Sequence, residues 1–216
     1  MKLTKQASHS RHGNAGRCTV AGLYAKHGLV ALAILVLSAS VSVLASQDTP
    51  APNQAPNLSG LHDFDFLRGD WKAHHRVLKE RLVGSHDWVE YDGTVSQRAL
   101  MDGWANSGDN IFNTPKGTYR GVSLRAYDSK SGLWAVWWLD GRNPFGDIGP
   151  PIKGHFENGV GSFYSDDTLR GKPVRVRVTW THNAPNTAHW EQAFSADGGK
   201  TWEINWTTDF VKTDLR

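Results

Sequence analysis

The sequence predicts an all-β protein, an antiparallel up-and-down barrel of about ten strands with a short N-terminal helix. Three observations carry that expectation. From Trp71 onward, apolar residues recur at every second position: VRVRVTW, residues 174–180, sets Val174, Val176, Val178 and Trp180 against Arg175, Arg177 and Thr179. Turn signals such as PKG, DSKSG, ENG, NAPN and ADGGK punctuate the series at short intervals. No long helical pattern interrupts it, so nothing supplies the crossover helices of a parallel sheet.

Residues 1–45 stand apart from the fold. Lys2, Lys5, Arg11, Arg17 and Lys26 occur there without an acidic residue, and an uncharged apolar run then ends at Val43-Leu44-Ala45. Positive start, apolar middle and small-residue exit are the features of a signal peptide, which would place the mature chain in the periplasm or make it secreted. An uncleaved anchor is the alternative, but the run is short for a membrane span. The long basic start also admits a start codon further downstream. Cys18 precedes the apolar run and so is no lipoprotein acylation site. Removing this segment's five basic residues from the chain's 24 leaves 19 against 21 acidic, so a net +3 becomes −2. The basic balance belongs to the targeting segment, and no nucleic-acid partner is expected from it. With no cysteine left, the mature chain has to fold on its core alone.

SQDTPAPNQAPN, residues 46–57, is rich in Pro, Gln and Asn and reads as a flexible linker. The barrel domain takes residues 58–216. It opens with NLSGLHDFDFLRGDW, where Ser59 can cap a short helix or 3₁₀ segment ending at Gly69, with Leu61, Phe64 and Leu67 at helical spacing. Strands follow near 71–80, 87–100, 110–114, 118–128, 133–140, 154–157, 160–166, 174–182, 187–194 and 202–210. An even number of meandering strands lets the last pair with the first, which removes the exposed edges and favours a barrel over a sandwich. Connections then alternate between ends. The loops 141–153, 167–173 and 195–201 share one end, the candidate mouth, and the tight turns at 158–159 and 183–186 mark the plain end.

SADGGKTW, residues 195–202, fits the Asp-box pattern S-x-D-x-G-x-T-W of sialidase-type propellers. It occurs once, with no blade-length repeat around it, so it reads as a hairpin turn. Asp197 should accept backbone N–H groups, Gly198 and Gly199 should take positive φ, and Trp202 should pack beneath. The hairpin would set Phe194 beside Trp202 and Trp190 near Trp206 on one apolar face.

Four longer stretches carry a resemblance: FDFLRGDWKAHHRVLKERLVGS, GTYRGVSLRAYDSKSGLWAVWWLDGR, GHFENGVGSFYSDDTLRGKPVRVRVTW and HWEQAFSADGGKTWEINWTTDF. Together, over roughly residues 61–212, they resemble a bacterial family of calycin-like barrels, the domain of unknown function 1579. Gly69-Asp70-Trp71 is also similar to the G-x-W opening of lipocalin-like barrels, whose Trp closes one end. The resemblance implies the fold and brings no catalytic residues with it.

Polar residues that ride with apolar rows are the candidate lumen groups. His75 lies with Trp71, Ala73 and Val77; Arg120 with Val122, Leu124 and Ala126; Asp140 with Trp134, Val136 and Trp138; Gln192 between Trp190 and Phe194. With the apolar faces inward, these four punctuate a wall that includes Trp138, Trp190 and Trp206, the usual make-up of a small-molecule pocket. The expected ligand is small and apolar or aromatic. A polar lumen of His74, Arg125, Glu191, Asn205 and Asp209 would result if the outer Trp face were instead buried in a dimer. WAVWW is apolar on both faces, so its outside should be covered by the N-terminal helix or by a second copy in a homodimer.

Each candidate also has a plain structural role: a satisfied core His or Gln, an Arg120–Asp140 pair, or tryptophans that only fill the core. His74 and His75 point to opposite faces and cannot share an ion, so no metal site is expected. An isomerase, hydratase or hydrolase would need His75 or a mouth carboxylate as its acid–base group. A glycan- or envelope-binding module would use an exposed Trp such as Trp104. No cofactor is expected; non-covalent haem on His75 or His182 is the exception that the resemblance to calycin-like barrels leaves open.

Overall fold

A computed structural model describes residues 55–213. The expected signal peptide at 1–45, the apolar run within it and most of the linker therefore lie outside the described residues. Ten antiparallel strands follow one another: β1 (Gly69–Leu78), β2 (Trp88–Leu100), β3 (Ala105–Thr114), β4 (Gly117–Asp128), β5 (Leu133–Asp140), β6 (Ile152–Glu157), β7 (Val160–Leu169), β8 (Lys172–Ala184), β9 (Thr187–Ser195) and β10 (Glu203–Lys212). Each pairs with the next, and β1 also pairs with β10, so the meander closes into an up-and-down, calycin-like barrel. No helix among the described residues is long and apolar enough to cross a membrane.

Two elements depart from the pattern. β3 begins at Ala105, because the polar run ANSGDN pairs on both sides, with β2 and with β4. The expected loop at 167–173 is a two-residue turn: Arg170 and Gly171 both take positive φ, 51° and 77°, as a hairpin matched to strand twist requires. The 141–151 and 196–202 connections do share one end of the barrel, and the turns at 158–159 and 185–186 lie at the other.

The N-terminal segment closes the plain end. It is a run of i→i+3 turns (Leu61 N–H to Leu58 O, 3.1 Å; Asp63 N–H to Gly60 O, 3.2 Å) finishing in a 3₁₀ turn at Asp65–Leu67. Ser59 caps nothing; its hydroxyl bonds Asn57 Oδ1 at 2.8 Å. The segment is stitched to the barrel wall. The Tyr127 hydroxyl accepts from Gly60 N–H (3.2 Å) and donates to Asn57 O (3.1 Å), while Trp134 Nε1 donates to Gly60 O (2.8 Å). Trp71, the Trp of the G-x-W opening, is buried and donates to Leu67 O at 2.7 Å. Phe64 and Leu67 enter the core among Trp134, Phe163 and Trp180. This segment therefore plugs an end and does not cover the outside of WAVWW, where Leu124 and Leu139 remain exposed.

At the opposite end the 79–87 loop folds across the β7–β10 side. Leu82 N–H donates to Glu203 Oε1 (2.7 Å), Arg170 ion-pairs with Glu80 and donates to Arg81 O, and Arg81 stacks over Phe194. β5 pairs with β6 only through Trp134–Val136, which leaves the rest of β5 next to the 141–151 loop.

The Asp-box hairpin is built as expected. Asp197 accepts from Lys200 N–H (3.0 Å), Thr201 N–H (2.9 Å) and the Thr201 hydroxyl (2.6 Å), and Gly198 and Gly199 have φ of 76° and 98°. Trp202 Nε1 donates to Gly199 O at 3.0 Å. The strand that follows is not as expected. A bulge between Ile204 and Trp206 shifts the register, exposing Ile204 and turning Asn205 inward. Phe194 therefore pairs with Glu203, and Trp202 packs against Tyr164 and Arg177. Trp190 still meets Trp206 edge to face, ring centroids 5.6 Å apart.

Candidate functional site

A cavity of about 140 Å³ lies inside the barrel, and its lining extends to Tyr119, Trp138 and Arg142 near the mouth end of β4 and β5. That is close to the size that holds one benzene ring in an engineered apolar cavity. β5 and β7–β10 contribute mostly large rings, Trp138, Phe163, Trp180, Trp190, Trp206 and Phe210, with Gln192 and Thr208 among them; β2–β4 contribute Gln97, Asn110, Ser123 and Arg125 together with Phe112 and Tyr119.

Five of the seven residues singled out from the sequence meet on this cavity: His75, Trp138, Trp190, Gln192 and Trp206. Arg120 does not. It points outward, exposed, and ion-pairs with Asp109. On β4 the apolar row Val122, Leu124 and Ala126 faces out, and Tyr119, Gly121, Ser123, Arg125 and Tyr127 face in. The reason is packing: β4 spends its inward positions on hydrogen-bonding groups and a Gly. Asp140 is also absent from the lining. It sits behind the mouth and accepts from Arg142 Nε (2.9 Å) and Nη2 (2.6 Å), and this pairing holds its carboxyl below the usual range. Arg142 is the group that reaches the cavity, with its guanidinium 4.0 Å over the Tyr119 ring.

Of the polar-lumen alternative, Arg125 and Asn205 are buried, while His74 faces out to Asp92 (2.8 Å) and Asp209 is exposed beside His189 (2.7 Å). Glu191 is only half-buried, near Arg177. His74 and His75 thus lie on opposite faces, and no cluster that could hold a metal occurs among the described residues. Trp104, the exposed Trp expected for a glycan module, is instead half-buried, packed on the core against Tyr127.

His75 is sealed in. Its Nδ1 shares a 2.8 Å hydrogen bond with the Thr208 hydroxyl, and Tyr91, Phe112 and Trp206 surround the ring. Nε2 lies against Gly93, where a Cβ would come within 3.1 Å of it. Burial, with a smaller contribution from neighbouring His74, pulls its pKa down to about 4, so the ring is neutral near pH 7. Arg125 is equally buried. Its Nη1 donates to Asn106 Oδ1 (2.9 Å) and Gln97 Oε1 (3.2 Å), and the guanidinium lies over Phe64 and Trp180.

Six buried side-chain atoms lack a hydrogen-bond partner among the described residues, and four belong to this lining: His75 Nε2, Arg125 Nε, Gln192 Oε1 and Trp206 Nε1. An unmet buried polar atom costs about 1–3 kcal/mol, so their concentration around one cavity is a feature to be explained.

Fold and site together define a closed up-and-down barrel with an interior cavity. No protein-family model and no curated protein matches the chain. Among solved structures it is similar to the S-type phycobiliprotein lyase CPES from Guillardia theta, with a TM-score of 0.47 and 8% identity over 71% of this chain and 92% of that one. It is also similar to EF1p2_mFAP2b bound to DFHBI, with a TM-score of 0.37 and 9% identity over 72% of this chain and 100% of that one. Both likenesses are distant, and the chemistry of the site rests on its own residues.

Proposed function

We propose that this is an exported barrel that binds one small, apolar or aromatic molecule in its interior, in keeping with the resemblance to the calycin-like domain of unknown function 1579. The observation that carries the reading is the Trp-walled cavity lined by Arg125, Gln192 and Trp206, each of which has a buried polar atom without a partner among the described residues. An apolar wall supplies binding energy, and a few convergent polar groups fix orientation. Export to the periplasm or the outside rests on the basic, then apolar, then small-residue pattern of residues 1–45.

The cavity suits one ring, not a porphyrin, and His75 Nε2 faces Gly93, so haem is not part of this reading. The same placement leaves His75 without a path to a reacting atom, which favours binding over acid–base turnover.

Titration with benzyl alcohol, followed by tryptophan fluorescence, tests the proposal. A saturable change is expected, because several of the ten tryptophans line the cavity. Val178→Phe, which fills the cavity from β8, should abolish the change while far-ultraviolet circular dichroism stays the same. No saturable response in the unaltered protein would defeat the reading.

A further inference from the structure

Resting on the cavity-binding reading above, we infer that the barrel selects an anion: a one-ring apolar or aromatic monocarboxylate whose carboxylate meets the Arg125 guanidinium. Arg125 is 3% exposed, and its hydrogen-bond acceptors, Gln97 and Asn106, are both neutral. Among the described residues no carboxylate pairs with it, and its Nε has no partner at all. Burial lowers its pKa only to about 10, with no anion acting on it in the other direction, so the group is a cation at neutral pH.

A buried cation without a counter-ion is strongly disfavoured unless something compensates it. The faces of Phe64 and Trp180, 5.0 and 5.4 Å from the guanidinium carbon, supply part of that compensation. They carry no net charge, so a full anion still gains by arriving. The other cavity guanidinium is arranged differently: Arg142 already holds Asp140 through two hydrogen bonds. The unsatisfied positive charge is therefore Arg125, on the cavity lining between Gln97 and Trp180.

Shape narrows the class. A planar guanidinium fork matches a planar carboxylate, and the cavity of about 140 Å³ admits a single ring in addition to that group. The ring would lie among Trp138, Trp190 and Trp206.

Isothermal titration calorimetry of the full chain with three probes of similar size decides the matter: sodium benzoate, benzyl alcohol and benzylamine. Benzoate should bind tighter than benzyl alcohol by about tenfold or more, and benzylamine should bind weakest. Arg125→Met keeps the apolar stem and removes the charge. It should weaken benzoate on the order of 10- to 100-fold and leave benzyl alcohol nearly unchanged. Arg120→Met, on the outer face, should keep the preference.

Benzyl alcohol binding as tightly as benzoate in the unaltered protein would overturn the inference while leaving the cavity reading intact. So would an Arg125→Met protein that retains the benzoate preference, which would make Arg125 a structural cation held by its two rings. Failure of all three probes would overturn both readings. Should Arg125→Met not fold, the ranking in the unaltered protein still decides.

Discussion

Acidification should destabilise the barrel through His75 in a pH window of its own. In the unfolded chain this histidine titrates near the ordinary 6.5; in the folded barrel burial pulls it down to about 4. The native state resists a proton that the unfolded chain accepts, so the contribution is fully present above pH 6.5 and drains away as the pH falls toward 4. At about 1.4 kcal/mol per tenfold, the whole window is worth roughly 3 kcal/mol, and most of it is spent between pH 7.5 and 4.5. Two other groups of charges stay out of the way. His74, raised mainly by its hydrogen bond to Asp92, acts in the opposite sense, but an exposed pair of this kind contributes under about 1 kcal/mol. Asp70, Asp140 and Asp197 are lowered mainly by Ser96, Arg142 and Thr201 respectively, so their contributions are lost only below about pH 4. The assay is urea unfolding, followed by tryptophan fluorescence, at pH 7.5 and 4.5. The protein should lose about 2–3 kcal/mol between them, and His75→Gln, which cannot titrate, should lose far less. Equal losses in both proteins would refute the assignment of this window to His75.

Two glycines give predictions that separate backbone from side-chain crowding. A Cβ at Gly154 would lie 1.9 Å from Ser162 O and 2.7 Å from Phe163 Cα, both backbone, so β6 and β7 would have to part. Gly154→Ala should cost about 3 kcal/mol or more, read as a lower urea midpoint, and a loss under about 1 kcal/mol would count against the tight β6–β7 approach. A Cβ at Gly121 would meet the Trp138 ring at 2.2 Å, and a ring can turn aside. Gly121→Ala should fold with a loss of about 1–2 kcal/mol while altering the benzyl alcohol response, because Trp138 lines the cavity. An unchanged response would mean that Trp138 does not touch the probe.

Nine of the ten strands were legible because strand alternation is local. In VRVRVTW each residue's face follows from its neighbours, and Val174, Val176, Val178 and Trp180 are indeed buried. The first half of β3 was not, since ANSGDN has no β-branched or aromatic residue and becomes a strand only because β2 and β4 pair with it on either side. The inward face of β4 is hidden in the sequence for a related reason. GTYRGVSLRAYD carries apolar groups on both faces, and Val122 and Leu124 outweighed the signal that was present: Tyr119 and Tyr127 share the row of Arg125. The apolar row points to Arg120 and leaves Arg125 to the polar-lumen alternative, whereas Arg125 is the buried one. The bulge in β10 leaves no trace in WEINWTTDF, whose alternation puts Ile204 on the face of Trp202 and Trp206 and Asn205 on the other, the reverse of their burial.

That same reversal explains why the barrel has a cavity at all. A ten-stranded barrel filled evenly by large residues would have a solid core, yet the inner rows of β2, β3 and β4 each carry a glycine: Gly93, Gly108 and Gly121. Each is roofed by a neighbour's side chain: His75 over Gly93, Gln97 and Ser123 over Gly108, and Trp138 over Gly121. Those roofing groups come from β1, β2, β4 and β5 and occupy the space over the glycines. On β8–β10, Trp180 stacks on Phe210 and Trp190 meets Trp206 edge to face, so these large rings pack against one another. Room therefore remains next to β2–β4, and Arg125 sits there with no carboxylate pairing with it among the described residues. Shape and charge coincide at one place, and both come from residue choices on β2–β4 that a search for inward apolar rows passes over.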